Sequence, residues 1–200
     1  MTGRWIAFEG VDGCGKSTQA ARLVEALGAL ATREPGGTPT AEAIRDLVLT
    51  PHLEVTERTE ALLMAAARAQ LLAELVSPAL EAGRTVVSDR SVASSLAYQG
   101  YGRGLDVGEI EQVNRWALDG CWPDLFVLIA CDQEVLAMRR DAEPDRIERA
   151  SADFYRRVAD GFEALAAADP QRWIRIDGNG DPDEVFGLLE VALEERNISW

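Results

Sequence analysis

Eight consecutive residues, Gly10-Val11-Asp12-Gly13-Cys14-Gly15-Lys16-Ser17, fit the pattern G-x-x-x-x-G-K-[ST]. Glycines at this spacing let backbone N–H groups turn inward around an anion. A helix starting near Lys16 adds the positive end of its dipole. In such a cradle Lys16 reaches the β- and γ-phosphates of a nucleoside triphosphate, and the Ser17 hydroxyl, with Thr18 behind it, serves the Mg²⁺ side. Lys16 is the single Lys among 20 basic residues, the others all being Arg. A turn that merely joined strand to helix would need neither Lys nor Ser. Cys14 lies in the loop near the helix start, a setting that can lower a thiol pKa; we read it as a small loop residue, not a nucleophile.

Asp89 closes a β-branched run, Thr85-Val86-Val87-Ser88, and can face the same cleft as an acid near Mg²⁺, or cap a helix instead. Arg33, Arg45, Arg68 and Arg90 follow successive elements. Ligand sites in open α/β sheets lie at the carboxyl ends of the strands, where several arginines can clamp a second phosphate.

The elements that must hold these groups are legible in outline. Trp5-Ile6-Ala7-Phe8 is an apolar run stopped by Glu9-Gly10, a buried-strand signal. A helical stripe, Ala20, Leu23, Val24 and Leu27, follows the glycine loop and ends at Gly28. Residues 33–38 read as loop, and Thr40–Leu49 as a helix with Thr40 as N-cap. Thr59–Leu75 reads as a long Ala/Leu helix, Ser91–Tyr98 as another, and Gly100–Gly104 as a loop. Val107–Leu118, Val135–Arg140, Ser151–Ala168 and Pro182–Arg196 are helical; Leu125–Ile129 and Trp173–Ile176 are strands. Strands separated by helices predict an α/β fold: one domain, a P-loop NTPase-type parallel sheet of about five strands, helices on both faces and a short lid over residues 139–149.

Composition narrows the class. The 200 residues are 47% hydrophobic and 27% charged, which excludes a disordered tail or a disulfide scaffold. A net charge of −14 argues against nucleic acid or an anionic membrane as partner, yet leaves room for a small anion held by local arginines. His52 is the single His, so histidine triads and His-rich zinc sites are not expected. Three cysteines without C-x-x-C spacing read as free thiols in a reducing cytoplasm. No stretch reads as long and apolar enough to span a membrane, and no signal segment opens the chain.

Several strings together, in order, resemble the thymidylate (dTMP) kinase family of P-loop nucleoside monophosphate kinases. They are Glu9 to Thr18, Thr32-Arg33-Glu34-Pro35-Gly36-Gly37-Thr38, Asp89-Arg90 with Ser94 and Ala97-Tyr98-Gln99, Pro123-Asp124-Leu125, and Asp145-Arg146-Ile147-Glu148. The resemblance implies transfer of the ATP γ-phosphoryl to dTMP with Mg²⁺, giving dTDP for dTTP synthesis. It implies Asp12 near the acceptor's sugar and phosphate, and Arg45 and Arg90 on that phosphate. It further implies Arg68 and Ser94 on the thymine edge, Tyr98 against the deoxyribose, and Met64, Ser95 and Gln99 among the residues that bind the acceptor. Ser17 and Asp89 would serve the metal, Arg146 would reach ATP from the lid, and the loop after Asp177 would border the adenine. A homodimer is also implied, with the 59–75 helix as a possible face.

Three positions depart from the family pattern. Gly13 stands where one variant of the family carries a P-loop Arg, so a lid Arg (139, 140, 146 or 149) should supply that charge. Met64 replaces the usual stacking Phe four residues before Arg68, and Ser91 replaces a ring-bearing residue. Two other readings remain open at this level: a kinase for another pyrimidine monophosphate such as dUMP, and a P-loop ATPase that drives a partner protein.

Overall fold

β1 (Trp5–Glu9) is buried at all five positions, Glu9 included. A strand apolar on both faces belongs at the centre of a covered parallel sheet. The computed structural model, which describes residues 3–139, 146, 147 and 149–198, places it there. β2 (Leu30–Arg33), β3 (Val86–Asp89), β4 (Leu125–Ala130) and β5 (Trp173–Asp177) complete one sheet in the order β2-β3-β1-β4-β5. Every pairing is parallel. In register, Phe8 lies beside Asp89, and Asp89 beside Arg33. The carboxyl ends of β1, β2 and β3 therefore open on one side, which is where the glycine loop departs.

β2 was not expected as a strand. Its Leu-Ala-Thr-Arg alternates half-buried and exposed residues at the sheet edge, so it lacks the apolar run that marks β1 and β4. α1 (Lys16–Leu27) starts at Gly15 and ends at Gly28, as the stripe predicted. α2 (Pro39–Leu49) is capped by Thr38, not Thr40: the Thr38 hydroxyl accepts from the Ala41 N–H, and Pro39 takes the first helical position, where no N–H is needed.

α3 (Glu57–Leu71) begins two residues early, capped by Thr56, and runs through a π-helical turn (Leu72–Val76) into α4 (Ser77–Glu81). This Glu57–Glu81 run is long and apolar enough, by length and composition, to cross a membrane, contrary to the sequence reading. It also carries buried Glu60 and Arg68 and packs against α2 and α6, as a core helix does.

α5 (Val92–Ser95) leads directly into a π-helical segment, Leu96–Gly102. This segment occupies much of the glycine stretch expected to be loop. Gly102 serves close packing there: a Cβ on it would stand 2.6 Å from the Phe154 ring. α6 (Val107–Ala117), α7 (Gln133–Met138), α8 (Ala152–Ala168) and α9 (Pro182–Glu195) follow near their predicted bounds. Of the expected lid, Arg140, Asp145 and Glu148 lie outside the described residues.

Candidate active site

The glycine loop closes around its own backbone. Gly13 (φ 84°) and Gly15 (φ 91°) hold left-handed conformations that side chains disfavour. A Cβ on Gly10 would lie 2.5 Å from the Ile129 carbonyl oxygen, so the loop can hug β4 only with glycine there. Val11 and Cys14 turn into the core. Burial pushes the Cys14 thiol up, against the pull of Lys16, so the low-pKa setting suggested by its place near a helix start is not realised.

Lys16 is largely buried, its Nζ 3.5 Å from Asp12 Oδ1. Ser17 Oγ donates to Asp89 Oδ2 at 2.5 Å. Asp89 Oδ1 is buried without a hydrogen-bond partner. Asp89 thus faces the loop and caps no helix, since Ser91 holds the N-cap position of α5. A hydroxyl beside a carboxylate with an unpartnered oxygen is a donor set that fits Mg²⁺, which takes one or two protein oxygens and fills its remaining positions from phosphates and water. Among the described residues no group of three or more His, Cys, Asp or Glu could hold a metal ion.

One groove runs along Gly13, Lys16, Ser17 and Thr18 and is bounded by the loop after β5 (Gly178, Gly180) and by Arg139. Arg139 donates to the carbonyls of Gly178 and Gly180, each at 2.9 Å, and so stands beside the loop. A second cavity lies on the other side of Asp12. It is lined by Arg45, Met64, Arg68, Arg90, Ser94, Ser95, Tyr98 and Gln99, with Glu34 and Ile147.

Asp12 lines the second cavity and pairs with Lys16 of the groove, and so links the two. Arg90 Nη2 donates to its Oδ1 at 2.5 Å and the Tyr98 hydroxyl to its Oδ2 at 2.9 Å. Burial alone would raise the Asp12 pKa; the charges of Arg90 and Lys16, with the Tyr98 bond, hold it well below the usual carboxylate range. Arg90 also donates to the Gly10 carbonyl (3.0 Å) and to Ser94 Oγ (2.9 Å), and lies 4.9 Å over the Tyr98 ring. Its backbone is left-handed (φ 71°), a conformation that costs a non-glycine residue about 1–2 kcal/mol. Beneath it Glu9, fully buried, accepts from Ser91 Oγ and Ser94 Oγ, each at 2.6 Å. Burial pushes the Glu9 carboxyl up to about 7 despite those bonds and nearby Arg90.

Arg68 is also buried. Its Nε donates to Glu34 Oε2 at 2.6 Å, Nη2 to the Ser91 carbonyl at 3.1 Å, and Nη1 to Asn114 Oδ1. Burial raises the Glu34 pKa, with Arg68 opposing. Glu60, equally buried, accepts from Gln99 Nε2 (2.9 Å), Arg103 Nη2 (3.0 Å) and Arg146 Nη2 (2.6 Å).

Two expectations are corrected here. Arg33 joins neither cavity; it is exposed and paired with Glu42. Arg146 does not stand in the Lys16 groove. Its Nε donates to the Val48 carbonyl at 2.6 Å and its head group reaches Glu60, on the far side of the second cavity. Among the described residues, Arg139 is the lid-segment arginine beside the glycine loop. The sequence reading gave no role to Glu9, Glu34, Glu60 or Asn114. The signal for the first lay in the chain: a carboxylate ending an otherwise apolar strand.

The family model for thymidylate kinase matches residues 8–187. The chain belongs to the thymidylate kinase family. The thymidylate kinase of Pelotomaculum thermopropionicum is 48% identical over 98% of this chain and 94% of its own. That of Deinococcus radiodurans is 44% identical, with 97% and 98% covered. The crystal structure of thymidylate kinase from Ehrlichia chaffeensis superposes with a TM-score of 0.82 at 32% identity, covering 97% of this chain and all of that one. The five-stranded parallel sheet is thus the thymidylate kinase fold, and the chain is a phosphotransferase by family.

Proposed function

We propose that this chain transfers the γ-phosphoryl group of ATP to dTMP, releasing ADP and dTDP. The observation that carries the reading is Asp12, a glycine-loop residue bonded to Arg90 and Tyr98 of the second cavity. A groove and a cavity linked through the Lys16–Asp12–Arg90 charges suit two nucleotides meeting phosphate to phosphate. A dTMP phosphate oxygen attacks the γ-phosphorus, the bond to the β-bridging oxygen breaks, and ADP leaves with that electron pair. This reaction asks for positioning and charge neutralisation more than for covalent help.

In this reading the loop from Gly10 to Thr18 holds the ATP phosphates, with Lys16 on the β and γ groups. Arg90 and Arg45 hold the dTMP phosphate, and Asp12 keeps Arg90 aimed at it. Ser17 and Asp89 hold Mg²⁺, which when bound neutralises phosphate charge. Arg68, Ser95 and Gln99 read the base, Met64 packs on its face, and Tyr98 meets the sugar. Arg139 takes the ATP-side role that the resemblance gave to Arg146. Two copies of the chain form the working unit, a state that sedimentation velocity reads directly.

An acceptor panel of dTMP, dUMP, UMP and dCMP tests the assignment. The highest kcat/KM is expected for dTMP; a preference for any other acceptor overturns it. The panel also weighs the dUMP alternative, which Met64 motivates.

A further inference from the structure

Gln99 lines the second cavity, and an amide there can present either a donor or an acceptor to a ligand. Its neighbour decides which. Gln99 Nε2 lies 2.9 Å from Glu60 Oε1, and both side chains are buried. A carboxylate only accepts, so the amide must turn its NH₂ toward Glu60. Oε1, which takes no hydrogen bond among the described residues, is then the atom left for a ligand. Glu60 stays ionised: burial would raise its pKa, but Arg103, Gln99 and Arg146 bring it below the ordinary value. Arg103 also bonds Oε1, at 3.2 Å, so the carboxylate is held from two sides.

Arg68 supplies the opposite polarity. A guanidinium only donates, and Glu34, Asn114 and the Ser91 carbonyl occupy three of its five N–H bonds. The cavity therefore offers an N–H donor from Arg68 and a carbonyl acceptor from Gln99.

We infer that Glu60 is a specificity-determining positioning residue, which locks the Gln99 amide so that the cavity accepts a base carrying a carbonyl beside a ring N–H and rejects one carrying an amino group beside a bare ring nitrogen. The inference rests on the reading of this cavity as the dTMP site. Uracil-type bases satisfy both groups. Cytosine sets its amino group against Arg68 and its bare N3 against Gln99 Oε1, leaving buried polar groups unpaired, a mismatch that discriminates strongly. Without Glu60 the amide can rotate and meet cytosine with its NH₂.

The test is kcat/KM for dTMP and for dCMP, with KM for ATP, in Glu60→Gln and Gln99→Leu. Both variants are expected to lower the dTMP/dCMP ratio by about tenfold or more, with KM for ATP changed less than about twofold. A merely structural role for Glu60 would lower both acceptors together and keep the ratio. A ratio that falls in Gln99→Leu but holds in Glu60→Gln overturns the locking role and leaves the cavity assignment standing. A ratio that holds in Gln99→Leu overturns the assignment of Gln99 to the base, and the inference with it. Should Glu60→Gln fail to fold for want of a partner for Arg103 and Arg146, Glu60→Asp replaces it. That variant keeps the charge but draws the carboxylate back from Gln99, so the ratio should fall there too; an unchanged ratio overturns the role.

Discussion

In the proposed function a single charged side chain decides the donor side. Lys16 touches Asp12 and lines the phosphate groove but adds nothing to the apolar core. Lys16→Ala should lower kcat about 10²–10³-fold, the usual loss when one phosphate-facing donor is removed, while the thermal midpoint moves by only a few degrees. Wild-type turnover in that variant would refute the cradle. In the second cavity, the proposed acceptor site, Met64 is buried in the wall, where a thioether packs less specifically than a ring. Met64→Phe should lower KM for dTMP several-fold, from stacking of about 0.5–1.5 kcal/mol; an unchanged or raised KM would place the base elsewhere.

Glu9 carries a pH prediction at the same scale. Its folded pKa, about 7, lies above the ordinary 4.5. An acid shifted upward stabilises the fold fully below pH 4.5 and loses that contribution as pH rises through 7. Stability measured by denaturant titration, wild type minus Glu9→Gln, should therefore fall by on the order of 3 kcal/mol between pH 4 and pH 9. Parallel stability curves would show that Glu9 does not titrate there. The buried carboxylates were the least legible residues in the sequence. Glu34 and Glu60 sit in strings that look solvated, and only the tertiary partners Arg68 and Arg103 make their burial tenable. Lys16 and Ser17 were singled out because the spacing of the glycine loop fixes their place, whereas Arg90 was singled out by the resemblance and not by spacing.

At the scale of elements, the acceptor cavity depends on how α8 lies against the π-helical segment 96–102. Tyr98 is wedged edge-on between Phe154 and Phe162, with centroids 6.0 and 6.1 Å away. The approach is close because α8 carries Gly161, where a Cβ would stand 2.7 Å from the Tyr101 ring. Gly161→Leu should cost about 1–3 kcal/mol by overpacking and raise KM for dTMP more than KM for ATP, because the displaced segment carries Tyr98 and Gln99. Equal changes in the two KM values would separate the segment from acceptor binding. Helix existence was plain from apolar periodicity; this widened segment was not, since its glycines look like a loop. β2 was missed for the converse reason: a four-residue edge strand that alternates half-buried and exposed positions has no apolar run to announce it.

Across the whole molecule, an acidic body of net charge −14 still lines its groove and cavity with Lys16, Arg45, Arg68, Arg90 and Arg139. Repulsion elsewhere discourages polyanions, while in the proposed function the local arginine cluster receives small phosphates. The division into a glycine-loop groove and an arginine-rich cavity, joined at Asp12, is what separates an acceptor-dependent kinase from a free-standing ATPase. The most direct measurement is ADP release from ATP and Mg²⁺ in a coupled assay, run with and without dTMP. Release that depends on dTMP, with little in its absence, is the predicted result. ADP release that is absent, or indifferent to dTMP, would contradict the account.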